Sequence, residues 1–457
     1  MNKQKIMVLA IAGALTAPGL AMAQSANVSM YGLMDVRWDQ SKYSNNTANT
    51  VGSLTKQHLS GGQANYIGFR GTEDLGGGLS AFFQIESQIF TDARPDVASQ
   101  AHTNALFGGR PTYLGLRSTS WGELSAGYQD SVYKDVQRVW NVGAGAAFAG
   151  VIMGNGNSTG AVPTPNCGAG FASGTNALNA TTGATATTNC SEAPSNTTSF
   201  NRTASDTIVF RSVNMSGFRA AVMMGINEFK EPTVTPTILA AGNSPNNPSM
   251  TAYSVTWSGG PFSAAGGYEV HRGFRANLTT VNQDRMAKDT GLQLGGKWNY
   301  GQGNVGLGYE RLSYANTGGT VAAAANDFKR NAWVLGADYN VSAAGRIYGA
   351  YAKTAGNKSC GASLNTIATA TVGSACGNDT GTKQYSFGYD HSLSKRTTLY
   401  AYYAKIDNNA SGTVNYPSDS RTTNATTGGA STQGGAGSGI LAGVDQTSIN
   451  LGMKHTF

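Results

Sequence analysis

Toward the end of the chain apolar and polar positions alternate with a period of two. Ile449, Leu451, Met453, His455 and Phe457 share one parity, and Ser448, Asn450, Gly452, Lys454 and Thr456 share the other. Successive side chains of an extended strand point to opposite faces, so this pattern predicts a strand with one apolar and one polar face. The same pattern recurs in 218–224, 262–270, 333–339 and 385–389. Alternation alone would also suit a soluble sandwich, so the connections have to discriminate. Short turns at 75–78, 118–120, 214–216, 258–260, 300–302, 341–343 and 392–395 alternate with long polar segments near 39–63, 90–109, 130–202, 227–249, 272–289, 314–329, 355–382 and 407–445. Seven short turns and eight long segments join sixteen strands, with both termini on the short-turn side. An even number of strands of ~9–11 residues, with short turns at one end and long loops at the other, describes an outer-membrane barrel. Lipid offers no partner to backbone N–H and C=O groups, so strands cross a bilayer only in a closed barrel. The expected fold is therefore an all-β, sixteen-stranded antiparallel transmembrane β-barrel with short periplasmic turns and long external loops. Its apolar parity would face lipid and its polar parity water, and sixteen strands leave an aqueous lumen where eight would fill it with side chains. Tyr31, Trp38, Trp121, Trp257, Trp298, Tyr300 and Tyr339, near the expected strand ends, suit the two interfacial aromatic girdles.

Composition supports this reading. The 457 residues include 61 Gly, 20 Tyr and 16 Phe but 12 Pro, and charged residues make up 12 % against the ~25 % of an average soluble protein. At 40 % hydrophobic residues the chain fits neither a helical membrane protein nor a charged disordered one. The net charge of +7 is spread without a basic run, so no nucleic-acid partner is expected.

The first residues indicate the compartment. Lys3 and Lys5 precede an apolar stretch over 6–15, and Ala21-Met22-Ala23 supplies a small-residue cleavage site. Residues 1–23 read as a secretory signal removed before Gln24, leaving 24–457 as the barrel. Two lysines leave with it, which lowers the balance to 7 − 2 = +5. Cys167, Cys190, Cys360 and Cys376 suit an oxidising compartment. Four cysteines allow three pairings; proximity in sequence favours 167 with 190 and 360 with 376, each closing a polar loop. Closing the first loop would contribute ~3 kcal/mol, mainly by restricting the unfolded chain.

Signals of catalysis fail on context. Gly156-Asn157-Ser158-Thr159-Gly160 matches G-x-S-x-G, but it lies in a Gly/Ala/Thr-rich segment with no strand-to-helix elbow. Gly301, Gly303 and Gly306 match G-x-G-x-x-G in a turn between strands, with no helix to receive a phosphate. His58, His102, His271, His391 and His455 show no paired ligand spacing. Neither an enzyme nor a cofactor is expected.

Val28-Ser29-Met30-Tyr31-Gly32-Leu33-Met34-Asp35-Val36 resembles the opening strand of the trimeric general porins of Gram-negative bacteria, particularly the betaproteobacterial type. The run from Gly68 to Glu86 (GFRGTEDLGGGLSAFFQIE) resembles the family's second hairpin, and Tyr113–Leu116 with Trp121–Leu124 its next one. Phe457 matches the terminal aromatic that such barrels present to the outer-membrane assembly machinery. The resemblance implies a homotrimer in the outer membrane, in contact with lipid and lipopolysaccharide, whose pore is narrowed by a third loop folded inward. Segment 130–202, the longest, would be that loop. The resemblance also implies basic wall groups facing acidic loop groups at the constriction: Arg70, Arg110 and Arg202 against Asp130, Asp135 and Glu86. Lys134 and Arg138 would tip the balance positive, toward a weak anion preference. Two departures stand out, because the family has arginine where this chain carries Tyr66 and Tyr128; both would make the constriction less positive and more aromatic.

The expected function is passive diffusion of small hydrophilic solutes and ions. The alternatives are a substrate-selective channel in which loop aromatics such as Tyr133 and Trp140 bind one solute class, and an adhesin or receptor barrel using its Asn/Thr-rich loops.

Overall fold

A computed structural model describes residues 27–44, 54–61, 65–89, 91, 108–142, 200, 203–225, 249–272, 287–316, 328–356, 358, 380–410 and 443–457. The chain begins with strands β1 (Asn27–Tyr43), β2 (Leu54–Gly61), β3 (Tyr66–Gly76), β4 (Leu79–Gln88), β5 (Thr112–Ser118) and β6 (Gly122–Asp130). One short helix, α1 (Lys134–Trp140), follows. Then come β7 (Thr203–Ser212), β8 (Phe218–Gly225), β9 (Ser249–Gly259), β10 (Phe262–Arg272), β11 (Ala287–Asn299) and β12 (Gly303–Asn316). The last strands are β13 (Phe328–Asn340), β14 (Gly345–Thr354), β15 (Thr382–Ser392), β16 (Thr397–Asn408) and β17 (Gln446–Thr456).

Every strand pairs antiparallel with its neighbours, and β17 pairs back onto β1 from Leu33↔Thr456 to Tyr43↔Gln446, which closes the sheet. β2 and β3 both pair with β1, β2 along Val36–Tyr43 and β3 along Asn27–Leu33. They are two halves of one stave, β2 ending at Gly61 and β3 starting at Tyr66, so the seventeen strands make sixteen staves. All seven short turns fall where the sequence places them. The first long segment is shorter than expected. Residues 39–43 and 54–61 continue the ladder, leaving 44–53 between them, because polar residues hide an alternation that runs on through Trp38/Gln40/Lys42 against Asp39/Ser41/Tyr43.

The two parities separate by chemistry. Met30, Leu114, Leu307 and Phe387 are each more than half exposed on the outer face, where water contact would cost ~25 cal/mol per Å² of apolar surface. Lipid removes that cost. The opposite parity carries Asp39, Glu269, Gln293, Glu310 and Asn450, all buried within the barrel. Aromatic pairs ring the short-turn end outside, including Trp121 stacked near Phe210 and Trp298 beside Tyr300.

Phe457 lies at the closing seam. Its N–H and C=O bond to Gly32 at 3.2 and 3.1 Å, and its ring covers the space a Gly32 side chain would occupy. Phe457→Ala should therefore leave the seam backbone uncovered and lower the yield of folded barrel several-fold. Heat-modifiability on gels checks this: equal amounts of the compact band in variant and native protein would show that the ring contributes nothing.

Candidate functional site

The chain turns inward immediately after β6. Ser131 caps the turn by accepting the Tyr133 N–H at 3.1 Å, and its hydroxyl donates to Glu269 on the inner wall of β10. Val136 and Trp140, four residues apart, lie on one face of α1 and are fully buried. What receives them is a floor of inward-parity glycines on β10–β13. A Cβ at Gly267 would meet Val136 Cγ2 at 2.7 Å, one at Gly308 would meet the Trp140 ring at 2.8 Å, and one at Gly336 would meet Val142 Cγ2 at 2.5 Å. Gly295 lies beneath the same indole, and Gly306 beneath the Trp140 carbonyl. A helix can approach a sheet this closely only where side chains are missing from the sheet. Polar contacts complete the dock. The Tyr133 hydroxyl donates to Glu310 Oε1 at 3.0 Å. Phe200 stacks on His271 with centroids 4.6 Å apart, and the His271 ring bonds Glu269 at 2.7 Å.

The other face of α1 presents charge. Asp130 pairs with Lys134 and with Arg138, both at 2.7 Å; Asp135 pairs with Arg138 at 2.8 Å and with Arg211 of β7. On the wall, Arg110 pairs with Glu86 at 3.3 Å, and Arg117 and Arg219 share Glu123 at 2.8 and 3.8 Å. Arg70, on the same wall, donates to Ser29 Oγ at 3.3 Å. This cluster contains Arg70, Arg110, Arg117, Lys134, Arg138, Arg211 and Arg219 against Glu86, Glu123, Asp130 and Asp135, hence 7 − 4 = +3.

Of the residues singled out in the sequence, Glu86, Arg70 and Arg110 share the inner wall, and Asp130 and Asp135 sit at the base of the inward segment. The acidic pair is held by local cations and Arg211. Arg202 lies outside the described residues, as do Cys167, Cys190, Cys360, Cys376 and residues 1–23. Arg211, Arg219, Arg117 and Glu123 were missed, although period-two parity finds them: Arg211 pairs with Glu123 on the face of Ser125 and Thr207.

The two substituted tyrosines part company. Tyr66 faces inward, with the Arg110 guanidinium 4.9 Å from its ring centroid. Tyr128 pairs with Thr112 on the parity of Leu114 and Leu116 and so faces outward, beside a bulge at Gly127, whose φ of +139° suits glycine. Only one of them lines the lumen. Tyr133 and Trp140 are sealed against the wall. They cannot serve as the exposed aromatics of a solute site. No group of metal-ligating side chains occurs among the described residues.

Comparisons with known proteins agree with this architecture. A family model described as Gram-negative porin matches residues 8–411. The chain is 25 % identical over 459 residues to outer membrane porin protein 32 of Delftia acidovorans, covering all of both chains. It is 24 % identical to an outer membrane porin protein of Bordetella pertussis, covering 86 % of this chain and 93 % of that one. Among solved structures, an anion-selective porin from Comamonas acidovorans superposes with a TM-score of 0.60 at 20 % identity, over 95 % of this chain and all of the other.

Proposed function

The chain belongs to the Gram-negative porin family of outer-membrane proteins, and on that premise we propose that its barrel is a general diffusion channel with a mild preference for anions. The excess of positive charge in the cluster that α1 forms with the β3–β8 side of the wall, 7 − 4 = +3, carries this reading. Fixed charge in a narrow low-dielectric passage focuses the potential, so it enriches counter-ions and depletes co-ions where the path is tightest. Most of these cations are paired, which keeps the preference mild. Two are tied more loosely: Arg70 to a hydroxyl, and Arg219 at 3.8 Å to the carboxylate that Arg117 already binds at 2.8 Å. Anion selectivity is also the property for which the Comamonas porin of the same fold is named.

Segment 130–202 is the constriction loop, and its beginning is supported by the docked α1. Arg70, Arg110, Arg202, Asp130, Asp135 and Glu86 border the constriction. Residues 1–23 direct export, the four cysteines staple external loops, Phe457 addresses the chain to the assembly machinery, and three copies assemble in the membrane beside lipopolysaccharide. The function is tested by single-channel recording of the mature protein in planar bilayers. Large ohmic steps are expected, and heat-modifiable protein that gives no steps would overturn the reading.

A further inference from the structure

Along the inner wall of β1, β3, β4 and β5 runs a column of aromatic rings, three of them covered by guanidinium groups. Arg110 lies 4.9 Å from the Tyr66 centroid, Arg70 lies 5.0 Å from that of Tyr31, and Arg117 lies 4.7 Å from that of Phe82. The rings also meet edge-on, Tyr31 with Tyr66 at 5.9 Å and Phe82 with Tyr113 at 6.2 Å. Two of them lie flat on backbone: a Cβ at Gly68 would strike the Tyr31 ring at 2.6 Å, and one at Gly115 would strike Phe82 at 2.6 Å. Register orders the column along the barrel axis. Tyr66 and Arg110 lie toward the long loops, Tyr31 and Arg70 lie below them, and Phe82 with Arg117 lies nearest the short turns. A carboxylate and a carboxamide pin two of the rings: Tyr31 donates to Glu86 at 2.8 Å and Tyr113 to Gln84 at 3.1 Å. Arg70 and Arg117 are exposed to the lumen, and Arg110 is half-buried.

A guanidinium held over a ring has one face occupied; Glu86, Ser29 and Glu123 take the Nε–H of Arg110, Arg70 and Arg117, which leaves the other face and the terminal N–H edge for a passing solute. A small inorganic anion uses the edge alone. A planar aromatic carboxylate uses both, placing its carboxylate on the edge of one arginine and its ring against the next guanidinium or half-exposed tyrosine. Three such stations in file would let the solute move from one to the next without losing both contacts together.

We propose that this arginine-capped column is a binding track for planar aromatic carboxylates, which it holds more tightly than aliphatic carboxylates of equal charge and size. The proposal rests on the reading of the barrel as an open channel, and its test separates the two. Mature protein in planar bilayers carries a chloride current, and benzoate or its non-planar counterpart cyclohexanecarboxylate is added from one side. Benzoate should block saturably at a concentration about tenfold lower than the cyclohexane acid, the ratio expected of one aromatic contact. In a Tyr31→Leu/Tyr66→Leu double variant, normalised to its own chloride current, the two half-blocking concentrations should converge to within about twofold. Arg70→Lys, which keeps the charge but removes the plane, is the second variant should the first fail to fold. It should weaken the benzoate block more than that of the cyclohexane acid, since both lose the N–H edge but benzoate alone loses the planar face. Equal block by the two acids in native protein overturns the track, as does a preference for benzoate that survives in the variants. Absence of chloride steps before any acid is added overturns the channel reading, and the track with it.

Discussion

Gly295→Leu is expected to lift α1 off the barrel wall and widen the channel. The first side-chain carbon at this position would overlap the Trp140 indole, which is fully buried against Gly295 and Gly308. The wall strand cannot retreat, because β11 is hydrogen-bonded on both sides, to β10 and β12. The indole must therefore leave its seat, forfeiting packing comparable to the ~3–5 kcal/mol lost when a buried tryptophan is truncated. Tyr133 to Glu310 and Ser131 to Glu269 then hold the start of the segment on that wall, with Val136 against Gly267. Hydrogen bonds to carboxylates, ~1.5–3 kcal/mol each, tether the turn at Ser131 and Tyr133, so α1 swings out from its Trp140 end, where no such bond replaces the lost packing. The variant should still form a heat-modifiable barrel, since the staves are untouched. Its single-channel conductance should rise, and larger uncharged sugars should enter proteoliposomes in swelling assays. Conductance and size cut-off equal to those of native protein would mean that the docked helix does not narrow the path.

Reversing two wall charges should invert ion preference. Arg110 and Arg211 each pair with a carboxylate, Glu86 and Asp135 respectively. Replacing both with glutamate changes the cluster from +3 to 3 − 4 = −1. Arg110→Glu alone should move selectivity part of the way toward cations. Both shifts should grow as salt is lowered from 1 M toward 0.1 M, since screening shortens from about 10 Å to 3 Å over the reverse change. A permeability ratio unmoved in the double variant, in channels of ordinary stability, would show that these arginines lie away from the ion path.

The sequence revealed the barrel because in a membrane one rule dominates: a residue faces lipid or water by its parity, and no tertiary packing overrides it. The seven short turns were equally legible, since glycine and polar clusters break the alternation cleanly at Leu75–Gly78 and Tyr300–Gln302. The extension of β1 and β2 past residue 39 was not, because both parities there carry polar side chains and the contrast fades. The helix dock left a different trace. Gly267, Gly295, Gly306, Gly308 and Gly336 fall on the water-facing parity, but a glycine records only that something approaches, without saying what. Partner choice among charges was also hidden. Asp130 and Asp135 read as free faces of a constriction, yet Lys134 and Arg138 stand three to eight residues away on the same turn and reach them first.

The central claim, an open barrel in which the charge cluster beside α1 is positive in excess, is tested most directly by the reversal potential of the native channel in a planar bilayer under a potassium chloride gradient. A potential with the sign of chloride as the more permeant ion, growing as salt is lowered, is the predicted result. A potential of the opposite sign, or one of zero at every ionic strength, would contradict it.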